Sequence, residues 1–104
     1  MNDGVTGNEL ATAQGAVRRD VNIINARGLH ARAAAKFVRT AGRFQASVTV
    51  TNRDVAVSGL SIMGLMMLAA GPGTTISIAA TGRDAGAALA ALVELVESKF
   101  GESD

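Results

Sequence analysis

The sequence predicts a two-layer α/β sandwich, with one sheet and its helices on a single face. Three observations carry that prediction. Four short stretches alternate apolar and polar residues as half-buried strands do. Three others are rich in Ala, Leu or Met with apolar residues three and four apart. The two kinds interleave as β-α-β-β-α-β-α, without long linkers or internal repeats, in a chain of 104 residues, which is one small domain.

The first strand is expected in V-R-R-D-V-N-I-I-N-A, residues 17–26, where Val21 and Ile23 alternate with Asp20 and Asn22 and Arg27-Gly28 ends the run. The first helix follows in A-R-A-A-A-K-F-V-R-T-A-G, residues 31–42. Ala is the best helix former, Ala34, Phe37, Val38 and Ala41 make one face, and Gly42 supplies a stop. Arg32, Lys36, Arg39 and Arg43 step by four, three and four along another side. A hairpin is predicted from A-S-V-T-V-T (46–51), a turn at Asn52-Arg53-Asp54, and V-A-V-S (55–58). The second helix, residues 61–70, takes Ser61 as its N-cap and stops at Gly71-Pro72-Gly73. Residues 74–81 alternate as the fourth strand. The last helix, residues 85–100, is expected to be capped by Asp84 and to bury Ala85, Ala88, Leu89, Leu92, Val93, Val96 and Phe100. Residues 1–16 read as a flexible N-terminal tail and residues 101–104 as a polar C-terminal tail.

Composition excludes several functions. There is no Cys, so disulfide scaffolds, thiol catalysis and thiolate metal sites are ruled out, and a reducing cytoplasm is the expected location. No secretory signal is visible. The longest apolar run, Ile62 to Ala70, is nine residues, whereas a membrane helix needs about twenty, so no membrane association is expected. Charge is uneven. From Arg18 to Arg53 there are eight basic residues and one acid, Asp20, and from Asp54 onward six acids against Arg83 and Lys99. A basic half points to an anionic partner.

The chain's one histidine, His30, stands in R-G-L-H-A-R, just before the first helix. Backbone N–H groups in a helix's first turn lack partners, and together with the helix dipole they favour an anion and disfavour a protonated imidazole. Arg32 offers a planar fork of charge-assisted hydrogen bonds to phosphate oxygens, and Gly28 lets the loop bend close. A neutral nucleophilic imidazole, orphan amides and a guanidinium form a receptor for a transferred phosphoryl group. A metal fits less well: one His, no Cys and no nearby carboxylate do not furnish the three or four ligands of a zinc site. No cofactor is expected.

G-L-H-A-R followed by K-F-V, with S-I-M-G-L-M-M-L some thirty residues later, closely resembles the HPr family, the histidine-containing phosphocarriers of the bacterial phosphoenolpyruvate-dependent phosphotransferase system. The resemblance runs from about Val17 to Phe100. It implies an open-faced β-sandwich with an antiparallel sheet of order 1-4-2-3. It also implies a carrier rather than a stand-alone enzyme. The family's phosphorylated histidine, modified at Nδ1 by enzyme I, falls on His30, and its phosphate-stabilising arginine on Arg32. An enzyme IIA domain would be the acceptor. The family's regulatory serine, the target of an ATP-dependent HPr kinase, falls on Ser61. Two positions depart from the family pattern: Ala33 stands where proline is usual, and Leu60 where lysine is frequent before the serine.

The segment I-M-G-L-M-M-L, residues 62–68, has no polar side chain, and a short helix at the edge of a small domain does not bury its whole circumference. Part of it is expected to be an exposed apolar docking patch, in which methionines repack against several partners. Ile62, Met63, Leu65, Met66 and Met67, with Lys36 beside them, are the expected partner-binding residues. Two other functions fit less well. A nucleic-acid-binding module suits the basic half but lacks aromatic stacking platforms and any established motif. A regulatory interaction domain of the same fold would have no need of His30 and Arg32. Nothing in the sequence signals an oligomer, so a monomer is expected.

Overall fold

The structure, a computed structural model, describes residues 16–103; the stretch expected as an N-terminal tail lies almost wholly outside them. The elements run β1 (Val17–Asn22), α1 (Ala31–Ala41), β2 (Ser47–Asn52), β3 (Val55–Ser58), α2 (Ile62–Met67), β4 (Thr75–Thr81) and α3 (Ala85–Glu97), with a 3-10 turn at Lys99–Gly101. The sheet is antiparallel throughout and ordered β1-β4-β2-β3, as expected.

Register follows from burying one face. Val21 pairs with Ile76, Val50 with Ile78 and Val48 with Ala80, and all six are buried. The intervening Thr49, Thr75 and Ser77 stay at least partly exposed on the open face. A slip of one residue would invert that pattern, so the apolar alternation alone fixes the pairing. Arg19 shares the buried parity but lies near the edge of the sheet, where its guanidinium sits 3.8 Å from Glu97 of α3.

The inner face is covered by α1 through Ala33, Ala34, Phe37 and Ala41, by α3 through Ala85, Ala88, Leu89, Leu92, Val93 and Val96, and by Leu65 of α2. Alanines on the contact faces let the two long helices approach closely, leaving Phe37 and Phe100 as the bulkiest fully buried side chains.

Four local expectations are corrected. β1 ends at Asn22 rather than residue 26, because Ile23 turns to exchange backbone hydrogen bonds with Gly73 and Thr74. α2 ends at Met67: the next N–H groups, of Leu68 and Ala69, bond back three residues, and Asn52 Nδ2 caps the Leu68 carbonyl at 2.9 Å. Asp84 begins α3 but does not cap it; its Oδ2 accepts from the Gln45 amide at 2.8 Å. α3 stops at Glu97, and Lys99 and Phe100 turn left-handed (φ 60° and 55°). That conformation costs non-glycine residues about 1–2 kcal/mol each, and complete burial of the Phe100 ring, about 1.5–3 kcal/mol, offsets much of it.

Candidate functional site

The site begins with the loop that delivers His30. After β1 the chain is tied to the segment following α2: Leu29 N–H donates to the Ala70 carbonyl at 3.0 Å, and Gly28 N–H closes a turn onto the Asn25 carbonyl at 3.1 Å. Gly28 has φ +65°, and a Cβ there would lie 2.5 Å from the Ala70 carbonyl oxygen and 2.9 Å from Gly71 Cα. Only glycine satisfies both demands.

His30 is then the N-cap of α1, with extended backbone (φ −74°, ψ 178°) and no capping bond from its own side chain. Its carbonyl accepts the helix's first bond, from Ala34 N–H at 2.8 Å, so the amides before Ala34 are free of the helix ladder. The imidazole is half-sheltered, its side chain 18% exposed.

Its closest polar partner was not expected. Glu102 Oε2 lies 2.5 Å from His30 Nε2, and Glu102 Oε1 accepts from Asn25 Nδ2 at 3.0 Å. The same Asn25 nitrogen donates to the Gly28 carbonyl at 2.9 Å, and Asn25 is fully buried. The carboxylate arrives because the left-handed Lys99–Phe100 turn reverses the chain after α3. Lys36 of α1 then holds the Phe100 carbonyl at 2.6 Å. The absence of a carboxylate near His30, expected from the sequence, is thus corrected, and residues 101–103 are not peripheral.

The hydrogen bond to His30 holds the Glu102 carboxyl below its ordinary value of 4.5; partial burial opposes this, and the Asn25 bond and the Arg27 charge assist it. Arg27, Arg32 and Lys36 line one open depression with Gly101, Glu102 and Ser103. Arg32, exposed, thus shares a cationic hollow with the carboxylate bound to His30. Ala33, in the position after Arg32, is buried within the core.

The second expected site divides. Ser61 caps α2, its Oγ accepting from Gly64 N–H at 2.9 Å. Met63 and Met67 are 70% and 75% exposed, and Ile62, Met66 and the neighbouring Leu60 are also exposed. Leu65 is corrected: it is fully buried and anchors the helix, so it belongs to the core and not to the exposed patch. Lys36 is half-buried and engaged with Phe100, while Arg39 and Arg43 are exposed.

Known proteins carry the same pattern. The family model described as the PTS HPr component phosphorylation site matches residues 17–98. The chain belongs to the HPr family. It is 48% identical over 88 residues to the phosphocarrier protein HPr of Neisseria meningitidis serogroup A, covering 85% of this chain and 99% of that one. It is 50% identical over 86 residues to HPr of Pseudomonas aeruginosa, covering 82% and 96%. The crystal structure of HPr-C-His from Thermoanaerobacter tengcongensis superposes with a TM-score of 0.81 at 42% identity, covering 85% and 99%. As an HPr-family protein the chain is a phosphocarrier and not a stand-alone enzyme. Among the described residues, no helix is long and apolar enough to cross a membrane.

Asn25 and Glu102 are the residues that sequence reasoning missed. The Phe100-Gly101-Glu102 run held a partial signal, since a glycine after an apolar stripe marks a chain reversal. Where the reversed chain lands depends on contacts 72 residues away in sequence.

Proposed function

We propose that this chain accepts a phosphoryl group on His30 Nδ1 from enzyme I, which draws it from phosphoenolpyruvate, and passes it to an enzyme IIA domain. One observation carries the reading: Nε2 faces the Glu102 carboxylate at 2.5 Å. An ionised carboxylate only accepts, so the imidazole proton sits on Nε2 and the attacking lone pair is left on Nδ1. In the forward step that lone pair forms the N–P bond, and the phosphorus bond to the donor breaks with its electrons leaving on the donor. Arg32 and the spare first-turn amides of α1 offer donors to the incoming oxygens.

The exposed methionines of α2 supply an adaptable surface on which donor and acceptor dock in turn, with the basic side of α1 steering acidic partners. Ser61 is the proposed target of an ATP-dependent HPr kinase, and its phosphorylation would replace the hydroxyl that caps α2 with a dianion beside that patch. The carrier is proposed to act as a cytoplasmic monomer, in sugar uptake or a regulatory phosphorelay.

Intact-mass measurement after incubation with enzyme I and phosphoenolpyruvate tests this directly. One acid-labile phosphate is expected on the wild type and none on His30→Ala. Normal acceptance by that variant would refute the assignment. Incubation with ATP and an HPr kinase should add one acid-stable phosphate, absent in Ser61→Ala; an unchanged mass removes the regulatory role.

A further inference from the structure

We propose that Met63 and Met67 form an oxidation site through which a peroxide weakens partner docking, reversibly and without unfolding the chain. The proposal rests on reading the exposed face of α2 as the docking surface.

The chain concentrates its oxidisable sulfur on this helix. It has no Cys, so thioethers are the sulfur it offers, and three of its four methionines, Met63, Met66 and Met67, lie on α2. Met63 and Met67 stand four residues apart on one side of the helix and are 70% and 75% exposed, against 42% for Met66. Of the α2 residues only Leu65 is buried, and it anchors the helix to the core. The two ends are held by groups that do not react with peroxide, Ser61 Oγ at the Gly64 amide and Asn52 Nδ2 at the Leu68 carbonyl. Oxidation of the outer sulfurs therefore alters the surface and leaves its support in place.

The oxidant is hydrogen peroxide. A sulfur lone pair attacks one peroxide oxygen, an S–O bond forms and the O–O bond breaks. The leaving hydroxide takes the proton of the transferred oxygen, so a sulfoxide and water result. The thioether loses two electrons and the peroxide gains them. The product is polar and chiral, with a strong acceptor oxygen where an apolar side chain stood. Against an apolar partner surface that oxygen is buried without a donor, which weakens the complex. The return step needs two electrons that a chain without Cys does not hold. A methionine sulfoxide reductase supplies them from a dithiol, which becomes a disulfide as the oxygen leaves in water.

The full chain is treated with limiting hydrogen peroxide and the oxidised positions are mapped by peptide mass spectrometry. Phosphorylation by enzyme I and phosphoenolpyruvate is then measured over a range of carrier concentrations. Met63 and Met67 should oxidise before Met66. The KM for the carrier should rise about tenfold while kcat changes less than about twofold, the mark of lost binding rather than lost chemistry. The urea midpoint should not move, and sulfoxide reductases should restore the starting KM. The Met63→Leu/Met67→Leu chain, compared with itself before and after peroxide, should show no rise. Earlier oxidation of Met66, a lowered urea midpoint, an unchanged KM with both sulfurs oxidised, or a rise that persists in the double-leucine chain overturns the proposal. Met63→Gln/Met67→Gln separates the layers. If it raises KM where the sulfoxides do not, the oxidation site alone fails; if it does not, the docking surface fails with it. A wild type that gains no phosphate removes the assignment of His30 and this proposal together.

Discussion

Gly28→Ala should undo the loop that presents His30. At φ +65° an L side chain costs about 1–2 kcal/mol. The new methyl would lie 2.5 Å from the Ala70 carbonyl oxygen and 2.9 Å from Gly71 Cα, both backbone atoms that do not rotate aside. Relief by backbone shift costs about 1–3 kcal/mol more. The carbonyl that must give way is the acceptor of Leu29 N–H, the residue before His30, so strain and loss of site geometry are one event. Alanine also restricts the unfolded chain, which returns about 0.4–1 kcal/mol. The net loss is about 1–5 kcal/mol against a total stability of about 5–15 kcal/mol. With a urea dependence of about 1 kcal/mol per molar, the unfolding midpoint should fall by about 1 M or more. Urea titration followed by circular dichroism measures this, and phosphoryl acceptance in the still-folded fraction should slow. A midpoint equal to wild type would refute the claim that close approach and handedness both demand glycine here.

Other outcomes follow from the same geometry. Arg32→Ala should accept phosphate more slowly at an unchanged unfolding midpoint, because the side chain is exposed; unaltered kinetics would show that the guanidinium does not engage the phosphoryl group. Ser61→Ala should lose about 1 kcal/mol in urea titration by leaving the Gly64 amide uncapped, and no loss would mean the α2 cap is idle. Phe100→Ala should cost about 3–5 kcal/mol and free Glu102 from His30, visible as a change in the imidazole ring resonances; an unchanged ring signal would separate the anchor from the site. The depressed Glu102 carboxyl gives the sign of one pH effect. Its contribution to stability is fully present above the ordinary value of 4.5 and is lost as pH falls through the lower folded value. The Glu102–His30 contact should therefore persist from neutrality to about pH 4.5 and open only below it, and NMR titration that finds it open at higher pH would contradict the hydrogen bond as its cause.

Local signals predicted the elements well, because alternation in Val48-Thr49-Val50 and Ile76-Ser77-Ile78 and three-four spacing around Phe37 and Leu92 are written in neighbouring residues. The placement of His30 and Ser61 as helix N-caps, and of Arg32 in the first turn, was legible for the same reason. What the sequence hid was set by distant contacts. Asp84 looks like a cap, yet the Gln45 amide claims its carboxylate. Leu65 lies among exposed methionines in the sequence, yet helix geometry turns it alone into the core. Phe100 continues the apolar stripe of α3, but its ring reaches the core only after the backbone leaves the helix, and that departure carries Glu102 to the site.

The left-handed bend at Lys99 and Phe100 has a practical corollary for anyone handling this protein. An affinity tag or fluorescent fusion appended after Asp104 would have only Ser103 and Asp104 between it and Glu102, whose carboxylate touches the imidazole, and bulk or stray charge there would crowd the reactive ring. Probes belong at the opposite terminus, and labels attached at this end should be expected to alter the behaviour they were meant to report.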